Sequence, residues 1–121
     1  MSRIALLAAG LVGALALAAP IGATSTVTKL KGTVGPGFTI SLKKGTAKVK
    51  TLKAGKYTIT VADKSNIHNF HLKGPGLNKK ITSVPFVGTK TVTVTLKKGK
   101  YTFVCDPHAA MASMRGSFTV T

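Results

Sequence analysis

From residue 38 onward the chain alternates apolar and hydroxyl side chains with a period of two. Phe38-Thr39-Ile40-Ser41-Leu42, Tyr57-Thr58-Ile59-Thr60-Val61 and Val92-Thr93-Val94-Thr95-Leu96 each put apolar residues on one side and threonine or serine on the other. Such alternation predicts half-buried strands, and β-branched threonine suits the exposed face too. Lys44-Gly45, Gly55-Lys56 and Gly99-Lys100 break the runs as turns. No amphipathic helix of useful length follows residue 23. The pattern predicts an all-β domain, a Greek-key β-sandwich of seven to eight short strands. LKAGKYTITVADKSNIH (52–68) and LKKGKYTFVCDPH (96–108) share an order of leucine, lysine, glycine turn, tyrosine, aspartate and histidine. Two copies cannot stack into a solenoid, so these are two hairpins with similar requirements, each leading toward a histidine.

Residues 1–23 interrupt that pattern and read as an export signal. Arg3 supplies a positive charge, Ile4 to Ala19 form an apolar run of about 16 residues, and Gly22-Ala23-Thr24 offer a small-residue cleavage site. The run falls short of the roughly 20 residues that span a bilayer. The competing expectation is a segment retained as an N-terminal anchor. Cleavage after Ala23 would leave residues 24–121 as one small domain with a modest core. The expected location is periplasmic, extracellular or at the cell surface.

Setting Arg3 aside, 17 Lys and Arg stand against two acids, Asp63 and Asp106, a net charge of +15 spread along the chain. This charge steers the protein toward negatively charged partners or surfaces. Nucleic acid is disfavoured. No zinc-finger or helix-turn-helix pattern appears, and the few aromatics sit at core-type positions without forming a stacking platform.

Exported proteins usually pair their cysteines, yet Cys105 is the only one here. Residues two apart on a strand share a face, so Cys105 follows Tyr101 and Phe103 inward. By the same test His68 goes with Phe70 and Leu72, and His71 points the opposite way, outward. After Cys105 come His108, Met111 and Met114 on one short loop, whose freedom Pro107 limits. A thiolate, two imidazoles and a weak axial thioether are the donor set of a mononuclear copper site. Thiolate, thioether and imidazole serve both Cu(I) and Cu(II), and a frame between the geometries the two states prefer keeps reorganisation small. Structural zinc sites favour closely spaced cysteine pairs, which are lacking. A catalytic cysteine–histidine dyad would need an orienting third group and a cleft.

At these residues the chain resembles the cupredoxins, small blue copper proteins of the plastocyanin and amicyanin type, from about Thr26 to Thr121. The resemblance rests on His68-Asn69, on Tyr101 through His108, and on Met114-Arg115-Gly116 before the last strand. It implies that His68, Cys105 and His108 are copper ligands, and that Asn69 braces the cysteine loop by hydrogen bonding. The axial methionine is less direct. The family usually leaves about two to four residues between the loop histidine and the methionine, which Met111 fits. Met114 sits further on but alone precedes Arg115-Gly116 and the closing strand, so Met114 is taken as axial.

The expected function is one-electron carriage by a single Cu(I)/Cu(II) ion in a monomer, with an acidic redox partner or an anionic envelope surface as its partner, and with membrane contact left open but no span once the signal is cleaved. It is not an enzyme: one small domain has room for one such site, which argues against a copper oxidase or nitrite reductase. The alternative is copper sequestration or delivery, with Met111, Met114 and His71 as extra ligands. A metal-free adhesion or structural sandwich, with Cys105 merely buried, is the third reading.

Overall fold

Along the strand Gly55–Asp63, side chains alternate between full burial at Tyr57, Ile59, Val61 and Asp63 and partial exposure at Thr58, Thr60 and Ala62. This is the period of two read from the sequence, converted into one inner and one outer face. The structure, a computed structural model, describes residues 26–121; the export signal assigned to residues 1–23 lies outside the described residues. Ten strands follow in order: β1 (Thr28–Val34), β2 (Ile40–Lys44), β3 (Ala47–Lys48), β4 (Thr51–Leu52), β5 (Gly55–Asp63), β6 (Phe70–Gly74), β7 (Leu77–Thr82), β8 (Gly88–Leu96), β9 (Gly99–Val104) and β10 (Arg115–Val120). β3 and β4 have two residues each. The other strands are the sandwich that the alternation predicts.

One sheet runs β3-β2-β1-β5-β8 and the other β4-β10-β9-β6-β7. Both are mixed, because β1 pairs with β5 in parallel and β4 with β10 in parallel, while the remaining pairs are antiparallel. Leu30, Val34, Leu42, Ile59 and Leu96 from the first sheet meet Phe70, Leu72, Tyr101, Phe103 and Phe118 from the second in one continuous core. Phe70 stacks on Phe103 with centroids 5.7 Å apart, and Tyr101 on Phe118 at 5.4 Å. The Phe103 ring lies against the backbone of Gly116, where any Cβ would collide with it.

Register decides where the functional end lies. Val34 stands opposite Ile40 and Asp63, and Asp63 opposite Gly88. In the other sheet Val104 stands opposite Arg115 and His71, and Phe70 opposite Thr82. The loops 35–39, 64–69, 83–87 and 105–114 therefore emerge at the same end of the sandwich. Two local expectations change there. The second strand opens at Ile40 and not at Phe38, because Gly35, with φ of 73°, turns the chain and donates its N–H to the Thr39 carbonyl at 3.0 Å. His68 precedes β6 instead of lying within it.

Candidate metal centre

Cys105 leaves β9 on the inward side, behind Tyr101 and Phe103, and is fully buried. Its N–H donates to the Met114 carbonyl at 3.0 Å, closing the loop between β9 and β10 at its base. Inside, two 3-10 turns, Asp106–His108 and Ala112–Met114, fold the loop back on itself. The His108 N–H donates to the Cys105 carbonyl at 3.1 Å, Met111 to His108 at 2.9 Å and Met114 to Met111 at 2.9 Å. Pro107 sits in the first turn, where its missing N–H and fixed φ fit. The loop thus positions its side chains through its own backbone.

Beside β9 in the same sheet, the loop before β6 brings His68 into the same space, fully buried. Gly35 lies behind its ring: a Cβ there would stand 3.3 Å from His68 Cδ2 and 2.9 Å from Ser65 Cβ, and φ at that position is positive. His68 Nδ1 lies 3.6 Å from Cys105 Sγ, His108 Nδ1 lies 3.5 Å from the same sulfur, and the two Nδ1 atoms are 3.1 Å apart. A triangle with those sides has its centre about 2.0 Å from each corner, the length of a metal–imidazole bond and slightly short of a metal–thiolate bond. Cys105, His68 and His108 form a group of potential metal ligands among the described residues. The other ring nitrogen of His68, Nε2, is buried without a hydrogen-bond partner among the described residues. A buried imidazole ordinarily finds partners; this one has its only polar surroundings at Nδ1, facing the thiol and the second imidazole. Donor set and dimensions fit one copper ion.

Met114 is fully buried in the core cluster, whereas Met111, on the same loop, is 41% exposed. His108 is half-buried, and Phe38, itself 47% exposed, covers both imidazoles edge-on, 5.1 Å from His68 and 4.9 Å from His108. Phe38 is a site residue that the sequence reading assigned to a strand. Its strand-like alternation with Ile40 hid the role.

Asn69 pairs with Asp106 twice: its Oδ1 accepts the Asp106 N–H at 2.7 Å and its Nδ2 donates to Asp106 Oδ2 at 2.9 Å. His71 lies on the opposite side of β6 from Phe70, as the alternation implies, but is buried and not outward in solvent. The reason is the loop above it. His71 Nδ1 donates to both Asp106 oxygens, at 2.9 and 3.0 Å, and Nε2 faces Asn78 Oδ1. Partial burial alone would push the Asp106 carboxyl up. Hydrogen bonds from Asn69 and His71, with the charges of His71 and Lys80, outweigh that and hold it below the usual carboxylate range.

Comparison with known proteins agrees with this centre. The family model of copper binding proteins, plastocyanin/azurin family, matches residues 39–121. No curated protein matches the chain in sequence. Among solved structures, the copper protein rusticyanin superposes with a TM-score of 0.55 at 20% identity, over 81% of this chain and 80% of that one. A methionine-to-glutamine mutant of rusticyanin gives 0.54 at 22% over 81% and 80%, and the reduced protein in solution 0.52 at 24% over 77% and 76%. At such identities the likeness carries the sandwich fold alone.

Proposed function

As the chain belongs to the plastocyanin/azurin family of copper-binding proteins and takes one copper ion, we propose that it is a one-electron carrier. In this reading His68, Cys105 and His108 are the trigonal ligands, Met114 is the axial one and Asn69 braces the loop. The ion, when bound, supplies a single-electron couple between Cu(I) and Cu(II).

The observation that carries the reading is the buried triangle of Cys105 Sγ and the two Nδ1 atoms, already at coordinating spacing. The protein would have little to rearrange when the charge changes. His68 is fully buried with the Phe38 ring edge-on to it, and Cys105 is tied to Met114 through the backbone. Complete burial of Met114 favours its thioether over that of exposed Met111 as the axial donor. Half-buried His108 is the route for electrons to the surface, where exposed Phe38, Ile67 and Met111 offer apolar contact to a partner. The fold serves transfer and catalyses no reaction of its own. Residues 1–23 fit an export signal, so we place the working protein outside the cytoplasm as a monomer of residues 24–121. Its lysines favour an acidic redox partner or an anionic surface.

One observation favours the second reading, copper sequestration or delivery: exposed Met111 on the ligand loop could hand Cu(I) onward. His71 does not support it, being held by Asp106 and Asn78.

The test is to add Cu(II) to purified residues 24–121 and record the absorption spectrum and voltammogram. An intense sulfur-to-copper charge-transfer band that Cys105→Ser abolishes, with copper retained through reduction and reoxidation, is the expected result. Loss of the ion to a weak chelator on reduction would favour delivery, and absence of the band would refute the ligand assignment.

A further inference from the structure

Asp106 follows the sulfur ligand directly, and its carboxylate is held from two sides. Asn69 meets it from the segment that carries His68. His71 meets it from β6, three residues beyond His68, with Nδ1 shared between both carboxylate oxygens. The far nitrogen of His71 faces Asn78 Oδ1 on β7. One ring therefore ties the ligand loop to β6 and β7 through both of its nitrogens. The other charge near this cluster is Lys80, which stands opposite His71 across β6 and β7 and acts on Asp106 from further off.

A bare carboxylate beside the thiolate would favour the more positive oxidation state of the ion and disfavour the reduced one. An N–H donated to both oxygens of that carboxylate offsets part of its field, and the contact is worth more than an exposed one because His71 is buried. The contact also joins the ligand loop to the sheet. β7 carries an extra residue, Ile81, between the partners of Phe70 and His71. That bulge falls at the start of β6, where a bulge commonly re-aims a side chain.

We propose that His71 is a positioning residue of the copper loop: acting through Asp106, it fixes the Cys105–His108 turn and offsets the field of the carboxylate beside the sulfur. This rests on the copper reading above, and goes beyond the bracing by Asn69 that the family resemblance implies.

The test compares His71→Gln, Asp106→Asn and the double variant in the copper-loaded protein, by equilibration against a mediator of fixed potential. In His71→Gln the reduced-to-oxidised ratio falls about threefold to tenfold, because the carboxylate is left uncompensated; tenfold is 59 mV for one electron. In Asp106→Asn the ratio rises, and the double variant returns toward the wild-type value. An unchanged ratio in His71→Gln, or a shift of both single variants in one direction, overturns the proposal. The metal-free proteins give an independent reading. Amide exchange over residues 105–108 is about tenfold faster in His71→Gln if the ring holds the turn, and unchanged if it does not. Should the wild-type chain develop no charge-transfer band, the copper reading fails while amide exchange still decides the clamp. Asp106→Asn, which keeps the side-chain size, serves where His71→Gln folds poorly.

Discussion

Cys105 Sγ lies 3.6 Å from His68 Nδ1 although 37 positions of sequence separate them. Both side chains are fully buried, so the fold has gathered polar groups where it would ordinarily gather apolar ones. In the metal-free protein this arrangement is a cost, since a thiol and two imidazole nitrogens crowd one another at 3.1–3.6 Å. Copper binding should therefore report directly as stability. At free copper a thousandfold above Kd the gain is about 4 kcal/mol, read as a rise in Tm that chelation reverses. His68→Leu should keep the metal-free fold and lose the copper-dependent rise; a rise that survives this substitution would place the ion elsewhere.

The two loop methionines differ in burial, fully buried at Met114 and 41% exposed at Met111, and their substitutions should differ accordingly. Met114→Leu conserves volume and should cost less than about 1.5 kcal/mol of stability, while removing the thioether should raise the potential and alter the charge-transfer spectrum. Met111→Leu should leave both unchanged. The reverse pattern, measured by voltammetry on the two variants, would move the axial role to Met111.

How much of this was legible beforehand follows from what each residue depends on. The inward direction of Cys105 is a property of strand alternation, so Tyr101, Phe103 and Cys105 were readable together. His68 came out buried as the alternation implied, but it sits in the loop before β6, so the resemblance more than the face rule placed it. Phe38 was misread because alternation with Ile40 looks the same whether or not a glycine with positive φ has turned the chain. His71 was rightly put on the outer side of its strand, and its burial could not be read there. Burial of that face comes from a loop some 35 residues away, and no local periodicity encodes a non-local cover.

Phe38 contacts both imidazoles while staying 47% exposed, which makes it a shield and not a core residue. Phe38→Ala should cost about 1 kcal/mol, the scale of aromatic edge contacts plus some lost burial. The larger effect should be on solvent access. Faster loss of copper to a chelator is expected in stopped-flow measurements, with the charge-transfer band still present. Unaltered release would show that the ring shields nothing.

The Asp106 carboxyl is held below its ordinary value, despite partial burial pushing it up, by hydrogen bonds from Asn69 and His71 and by the charges of His71 and Lys80. Its unfolded counterpart titrates near 3.9. A group with depressed folded pKa contributes stability that is complete above the unfolded value and lost as pH falls toward the folded one. The metal-free protein should therefore lose stability below about pH 4, and Asp106→Asn should be flatter over that acid range while less stable at neutral pH. Equal acid slopes for the two proteins, from denaturant titrations, would mean that Asp106 carries none of the linkage.

On the outer face of the first sheet, Lys31 stands directly opposite Lys43, and Lys43 directly opposite Lys48. All three are exposed, and the two acids of the described chain, Asp63 and Asp106, lie elsewhere. Like charges facing each other across strands destabilise a sheet by about 0.2–1 kcal/mol per pair. Lys43 is the shared member of both pairs. Lys43→Thr should therefore stabilise the domain by roughly 0.5–1 kcal/mol at low salt, an effect that shrinks as salt screens the repulsion. The same substitution should slow association with an acidic partner, most at low ionic strength. If instead Lys43→Thr lowers Tm at low salt, the row is held by something other than tolerated repulsion, and its steering role would need a different basis.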